Sequence, residues 1–291
     1  MSNEETGQQD GDSSGVSIEM EQEATARTRE ERYFQLIVEA LQTCTKYKPM
    51  FGKGQKGGLT LEEFQQIYSA DPFYHWVGLD SPLVYAAHKA AGGMTSVYRQ
   101  LGIGSERVFR AVLQDSLNLS TEQVRWSYQI PVATEKTRTL TLDGRIRFED
   151  IKDSAAKDRI RQWAESVADV LLLSEEMREH MRGAVFEVRQ GYKSKDSKRQ
   201  NADIANASSA YTHFYIPVLL LLSTQIDRDL ALRYVQSRWL LLNGTISGNS
   251  TNSTYKFCQE VLDYDLAGFF ESYSIAIKNE LEKVLAALFE V

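Results

Sequence analysis

Apolar residues recur at helical spacing from Arg29 to Tyr47, with Phe34, Ile37, Val38 and Leu41 on one side. Lys48 to Gly58 is a Gly- and Lys-rich loop, and a second helix follows from Leu61 to Tyr68. Asp71 to Gly104 mixes aromatics, glycine pairs and polar residues. Its pattern predicts helices over Ser81 to Ala90 and Thr95 to Gln100, with Gly92-Gly93 as the break between them. Ser105 to Leu117 is amphipathic, presenting Val108, Phe109, Val112 and Leu113 on one face.

The period then changes to two. Val124, Trp126, Tyr128 and Ile130 alternate with Arg125, Ser127 and Gln129, which predicts a half-buried strand. After a turn over Pro131 to Lys136, a second strand is expected from Thr137 to Phe148. Leu140, Leu142, Ile146 and Phe148 share its apolar face, while Thr139, Thr141, Asp143, Arg145 and Arg147 share the polar one. Asp143 is thus in mid-strand, where its propensity is poor, and a compensating partner is expected; Gly144 beside it permits a bulge or a close approach. Asp153 to Met181 reads as one or two helices. A third strand, Ala184 to Gln190, turns Phe186 and Val188 inward and Glu187 and Arg189 the other way. Arg199 to Tyr211 reads as a helix, and the near-continuous apolar run Phe214 to Ser223 as a strand buried on both faces beside parallel neighbours. Ile226 to Leu242 is expected to be helix, Asn243 to Ser253 an exposed loop, and Tyr255 to Val291 helical.

The first residues add a different composition. Residues 1–28 are rich in Glu, Gln, Gly and Ser, lack aromatics, and read as a disordered tail. The remainder divides into 29–104, a helical region with candidate recognition elements; 105–225, a strand-bearing core with a helical insertion at 153–181; and 226–291, C-terminal helices. The chain has 291 residues, 42% hydrophobic and 25% charged, and a net charge of −7. That balance argues against a general nucleic-acid coat protein, though not against a local basic cleft. Cys44 and Cys258 have no metal-ligand spacing and read as buried thiols in a reducing compartment. No basic and apolar leader opens the chain and no apolar run is long enough to span a bilayer, so the expectation is a cytoplasmic protein with no membrane partner.

The chemistry concentrates in Phe186 to Ala207, FEVRQGYKSKDSKRQNADIANA. There Glu187 is two residues from Arg189, and Lys193, Lys195, Lys198 and Arg199 follow. Asp143 and Glu187 lie on polar faces of strands that would be neighbours, so their carboxylates can converge on a hard cation such as Mg²⁺. A cross-strand salt bridge of Asp143, Glu187 and Arg189 is the purely structural reading of the same residues. Upstream, a helical face carrying His88, Ser96, Arg99 and Gln100 can lie in a DNA groove; a helical subdomain using its glycines for close packing explains the same stretch.

The order helix, strand, strand with Asp143, strand with Glu-x-Arg, helix, buried strand resembles the PD-(D/E)xK nuclease core. More closely, FEVRQGYKSKDSKRQNADIANA together with GLDSPLVYAAHKAAGGMTSVYRQLGIG resembles type II restriction endonucleases of the ApaLI-like family, over roughly Asp71 to the C-terminus. The resemblance implies a mixed α/β fold with a central mixed sheet extended by a large helical portion. It also implies Mg²⁺-dependent hydrolysis of double-stranded DNA at a short, palindromic site by a homodimer. Asp143 and Glu187 would hold the metal with the Val188 carbonyl, and Glu106 is a further candidate. The catalytic set would be Asp143, Glu187, Arg189 and Lys193, with Lys195, Lys198, Arg199 and Gln200 on the DNA alongside the upstream helix. The family's usual Lys is replaced here by Arg189, which stays protonated and cannot act as a base. Either Arg189 alone or Lys193 would supply the missing cation. The same departure motivates a sequence-specific DNA-binding protein that does not cleave.

Overall fold

The computed structural model describes residues 13–50, 58–133, 136–191 and 206–289. Helix α1 (Ser13–Gln42) is followed by a short 3₁₀ turn, then α2 (Leu61–Ser69), α3 (Pro72–Trp76) and α4 (Pro82–Leu117). Strands β1 (Trp126–Ala133), β2 (Lys136–Leu142) and β3 (Gly144–Arg147) come next, then α5 (Ser154–Val170), α6 (Glu175–Glu179) and β4 (Gly183–Arg189). Residues 206–212 form α7. The chain ends with β5 (Tyr215–Leu221), α8 (Arg228–Gln236), β6 (Leu240–Leu242), α9 (Thr254–Glu260), α10 (Leu266–Ser272) and α11 (Ser274–Phe289). The fold is therefore mixed α/β, and no described helix is long and apolar enough to cross a membrane.

The central sheet has the order β3-β4-β5-β6; β3 is antiparallel to β4, and β4, β5 and β6 are parallel. As the apolar run from Phe214 predicts, β5 has parallel neighbours on both sides and all seven of its residues are buried. One sheet face (Ala184, Phe186, Val188, Ile216, Val218, Leu220) packs with residues of α1, α4, α5, α9 and α11 in a single large core. The opposite face (Val185, Tyr215, Leu219, Leu221) packs with Trp126 and Tyr128 of the β1–β2 hairpin, α7, α8 and Trp239. Helices and sheet thus share their apolar surface.

Several expectations are corrected. Gly92-Gly93 does not break a helix: α4 runs through it for 36 residues and also crosses the expected domain boundary at Gly104. The glycines serve close packing instead. A Cβ at Gly93 would lie 2.5 Å from the Leu288 side chain, and one at Gly104 3.3 Å from the Cα of Ile37. Tertiary contact outweighs the modest helix penalty of glycine. Helix α1 begins at Ser13, so much of the expected tail is helical; its Glu, Gln, Ala and Arg content supplies helix propensity where composition alone suggests disorder. Residues 1–12 lie outside the described set. Pro131 is in β1 opposite Thr137, rather than in a turn. The expected helix from Ile226 to Leu242 stops at Gln236, and its last apolar residues form β6. The C-terminal segment is three helices, and Asp263 with φ 57° falls between the first two.

The strand expected from Thr137 to Phe148 is not continuous. It is broken at Asp143 into β2 and β3. Leu142 packs with Trp126 and Val185 on one side of the sheet, whereas Ile146 and Phe148 belong to the core on the other. The four apolar residues therefore do not share a face, because the chain crosses the plane of the sheet at Asp143.

Candidate functional site

Hydrogen bonding explains the break. The Asp143 amide donates at 2.8 Å to the carbonyl of Phe186, the residue already opposite Gly144, so the β3–β4 ladder ends there in a bulge-like contact. The Val188 amide, next along the same edge of β4, donates to Asp143 Oδ2 at 2.8 Å. A side-chain carboxylate thus stands where a main-chain acceptor of β2 would continue the ladder, and β2 peels away to pair with β1 alone. This is the compensating partner that a mid-strand Asp requires.

The next residues of β4 bring the opposite charge. Glu187, only 6% exposed, forms an ion pair through Oε1 with Nη2 of Arg189. The Arg189 Nη1 atom lies 3.7 Å from Asp143 Oδ2 and donates to the Val188 carbonyl at 3.2 Å. Asp143, Glu187, Val188 and Arg189 are therefore one cluster, as the sequence pattern predicts. The cross-strand salt bridge is present in it, with both carboxylates reaching the Arg189 guanidinium.

Helix α4 completes the cluster. Arg110 donates from Nε to the Asp143 carbonyl at 2.6 Å, pairs through Nη2 with Glu106 one turn earlier, and lies 3.9 Å from Asp143 Oδ1. Sequence reasoning singled out Glu106 but missed Arg110. The available signal was the i, i+4 spacing of opposite charges on an otherwise amphipathic helix that precedes the strands. Burial, and then the charge of Glu106, push the Asp143 carboxyl up from 3.8 to about 6; the Val188 amide, Arg189 and Arg110 pull the other way. At neutral pH the group is mainly ionised but lies close to its titration.

The cluster borders a cleft of about 750 Å³. One wall is α4 (Thr95, Tyr98, Arg99, Gly102, Ile103, Glu106). The other is formed by Val188 to Gly191 at the C-terminal end of β4 and by Ser223 and Gln225 just beyond β5. Clefts at the carboxyl ends of parallel strands are common ligand sites in α/β folds. At about 100° per residue, His88, Thr95, Arg99, Glu106 and Arg110 fall on one stripe of α4. Arg99 is exposed and lines the cleft. His88 shares the stripe but lies roughly 27 Å from Glu106 along the axis, at ~1.5 Å per residue. Ser96 is turned from the stripe and contacts Cys44 Sγ at 3.5 Å, and Gln100 is not among the cleft-lining residues. Of the four expected contacts on this helix, only Arg99 is thus brought to the cleft. Lys193, Lys195, Lys198, Arg199 and Gln200 lie outside the described residues.

Among the described residues no three His, Cys, Asp or Glu side chains are grouped as metal ligands. The oxygens present are nevertheless of the hard type that Mg²⁺ takes: the carboxylates of Asp143 and Glu187 and the Val188 carbonyl, all held by Arg189. Cys44 and Cys258 are buried and free, and burial raises the Cys258 thiol well above its ordinary value. Comparisons of the chain with family models, with curated proteins and with solved structures found no match.

Proposed function

We propose that this protein is a Mg²⁺-dependent endonuclease with a PD-(D/E)xK core, a type II restriction endonuclease of the ApaLI-like family. It would cut both strands of double-stranded DNA at a short palindromic site as a homodimer. The observation that carries this reading is that the Asp143 and Glu187 carboxylates and the Val188 carbonyl all meet the Arg189 guanidinium, which lines the α4–β4 cleft. The element order α4, β1, the bent β2–β3, β4, α7, β5 supports it as well.

Asp143, Glu187 and the Val188 carbonyl would hold the cation. When bound, Mg²⁺ would activate a water and neutralise charge developing on the scissile phosphate. The chain's own groups divide the remaining work. Asp143, with its carboxyl at about 6, is mainly ionised at neutral pH, the form a cation takes. Arg189 is a permanent cation, so it orients and neutralises the phosphate oxygens but accepts no proton. Arg99, exposed on the facing wall, provides a phosphate contact further along the cleft.

A second reading, a DNA-binding protein without cleavage, is favoured by one observation: the guanidinium of Arg189 pairs with both carboxylates. Digestion of unmodified phage DNA with and without Mg²⁺, beside Glu187→Ala, separates the two. Discrete fragments that require both the metal and Glu187 support the nuclease. Intact DNA with a salt-sensitive gel shift points to the binding protein, and neither fragments nor a shift refutes both.

A further inference from the structure

The two arginines of the cluster hold Asp143 by different atoms. Arg110 donates from Nε to the Asp143 main-chain carbonyl at 2.6 Å, an oxygen outside the ligand set proposed above; its Nη2 is engaged by Glu106 on the same helix and stands off at 3.9 Å from Asp143 Oδ1. Arg189 contacts the opposite set: Glu187 Oε1, the Val188 carbonyl at 3.2 Å and Asp143 Oδ2 at 3.7 Å. All three residues are those a divalent cation would engage. A cation and the Arg189 guanidinium therefore compete for Glu187, the Val188 carbonyl and Asp143 Oδ2, whereas Arg110 approaches the proposed ligand set only at Asp143 Oδ1 and keeps its short contacts outside it.

We infer that metal entry at this site is an exchange, in which the Arg189 guanidinium gives up Asp143 and Glu187 to the cation and turns into the adjoining cleft, while Arg110 stays as a positioning residue. The inference rests on the proposed metal site. Three facts favour it. Arg189 already lines the cleft it would enter. Glu187 is almost fully buried, and an ionised carboxylate left there without a positive partner is costly, which favours handing it from the guanidinium to the metal. Asp143 is kept in register by the Val188 amide, Arg110 and the Phe186 carbonyl, so it remains in place when Arg189 leaves. The exchange also delivers a guanidinium to the phosphate side of the cleft at the moment the cation arrives, which fits a residue that cannot serve as a base.

The test is a titration of full-length, DNA-free protein with Mg²⁺ alone, read by thermal shift and by isothermal calorimetry. Arg189→Gln removes the competitor, and its Mg²⁺ midpoint is expected roughly tenfold below wild type. Arg110→Lys keeps the charge but cannot span Glu106 and the Asp143 carbonyl; its midpoint is expected about tenfold above wild type, as for supporting groups of metal ligands. Arg189→Lys retains a charge that reaches only one carboxylate. It gives an intermediate midpoint and stands in if Arg189→Gln does not fold. Equal or weaker binding on removing the Arg189 guanidinium, or tighter binding in Arg110→Lys, overturns the exchange. If wild type shows no Mg²⁺ response, the metal site fails and the exchange with it; a response in wild type with unmoved variant midpoints overturns the exchange alone.

Discussion

Asp143→Asn in protein stripped of divalent cations gives a stability change of calculable sign. Burial first, and then Glu106, hold the Asp143 carboxyl at about 6 rather than 3.8. Between those values the folded protein keeps a proton that the unfolded chain has released, so stability falls as pH rises from about 4 through about 6 and stays lower above. At ~1.4 kcal/mol for each factor of ten, the loss amounts to about 3 kcal/mol. The opposing pull of Arg189, Arg110 and the Val188 amide is already contained in that value. Asparagine has the shape of the protonated acid, its oxygen still accepts from the Val188 amide, and it does not titrate. The variant and wild type are therefore expected to be equally stable at pH 4, with the variant ahead by about 2–3 kcal/mol at pH 8. In a chain of this size that is a gain of about 5–10 °C in Tm. Urea unfolding followed by tryptophan fluorescence from pH 4 to 8 with EDTA measures it, since Trp126, Trp163 and Trp239 are all buried. A variant less stable than wild type at pH 8, or a difference independent of pH, refutes the reasoning. Cleavage should be lost in the same variant that gains stability.

Glu106→Gln removes a charge that raises the Asp143 carboxyl, so the upper end of the pH window in the same unfolding series should move below about 6. Gly183 has φ 148° and faces the Ile146 carbonyl of β3; a Cβ there would lie 2.0 Å from that oxygen, so Gly183→Ala is expected to cost about 3–4 kcal/mol in urea unfolding and to split β3 from β4. Thr254, fully buried, donates from Oγ1 towards the Leu221 carbonyl at 2.7 Å and the Leu242 carbonyl at 3.2 Å; Thr254→Val should cost about 2 kcal/mol with no loss of Mg²⁺ response.

How far the sequence revealed these features depended on how local their causes are. The run from Phe214 announced a strand buried on both faces because its residues are apolar without alternation, and period-two patterning located β1 and β4. Glu187, Arg189 and Asp143 could be paired because strand parity puts them on polar faces, and proximity then follows from adjacent strands. The kink at Asp143 was hidden, because it arises from a hydrogen bond to an amide 45 residues later. Nor could the continuity of α4 be read from Gly92-Gly93, whose signal as a break is local while the packing that overrides it comes from Tyr47 and Leu288. Arg110 escaped notice for the same reason: its essential contact is with the main chain of a distant residue. Expectations for Lys193 to Gln200 lie where no structure is described.

Helix α4 imposes a rule on how this chain can change in length. One side carries glycines fitted against α1 and α11, and the other carries Arg99, Glu106 and Arg110 towards the cleft and the strand break. A single inserted residue between Arg99 and Glu106 would rotate everything beyond it by about 100°, turning Glu106 and Arg110 away from Asp143 while unseating Gly104 from Ile37. A seven-residue insertion would nearly restore the phase but displace the ends by roughly 10 Å, and the glycine contacts would then face the wrong neighbours. Homologous chains should therefore vary in length in the connections around this helix and keep the spacing within it fixed.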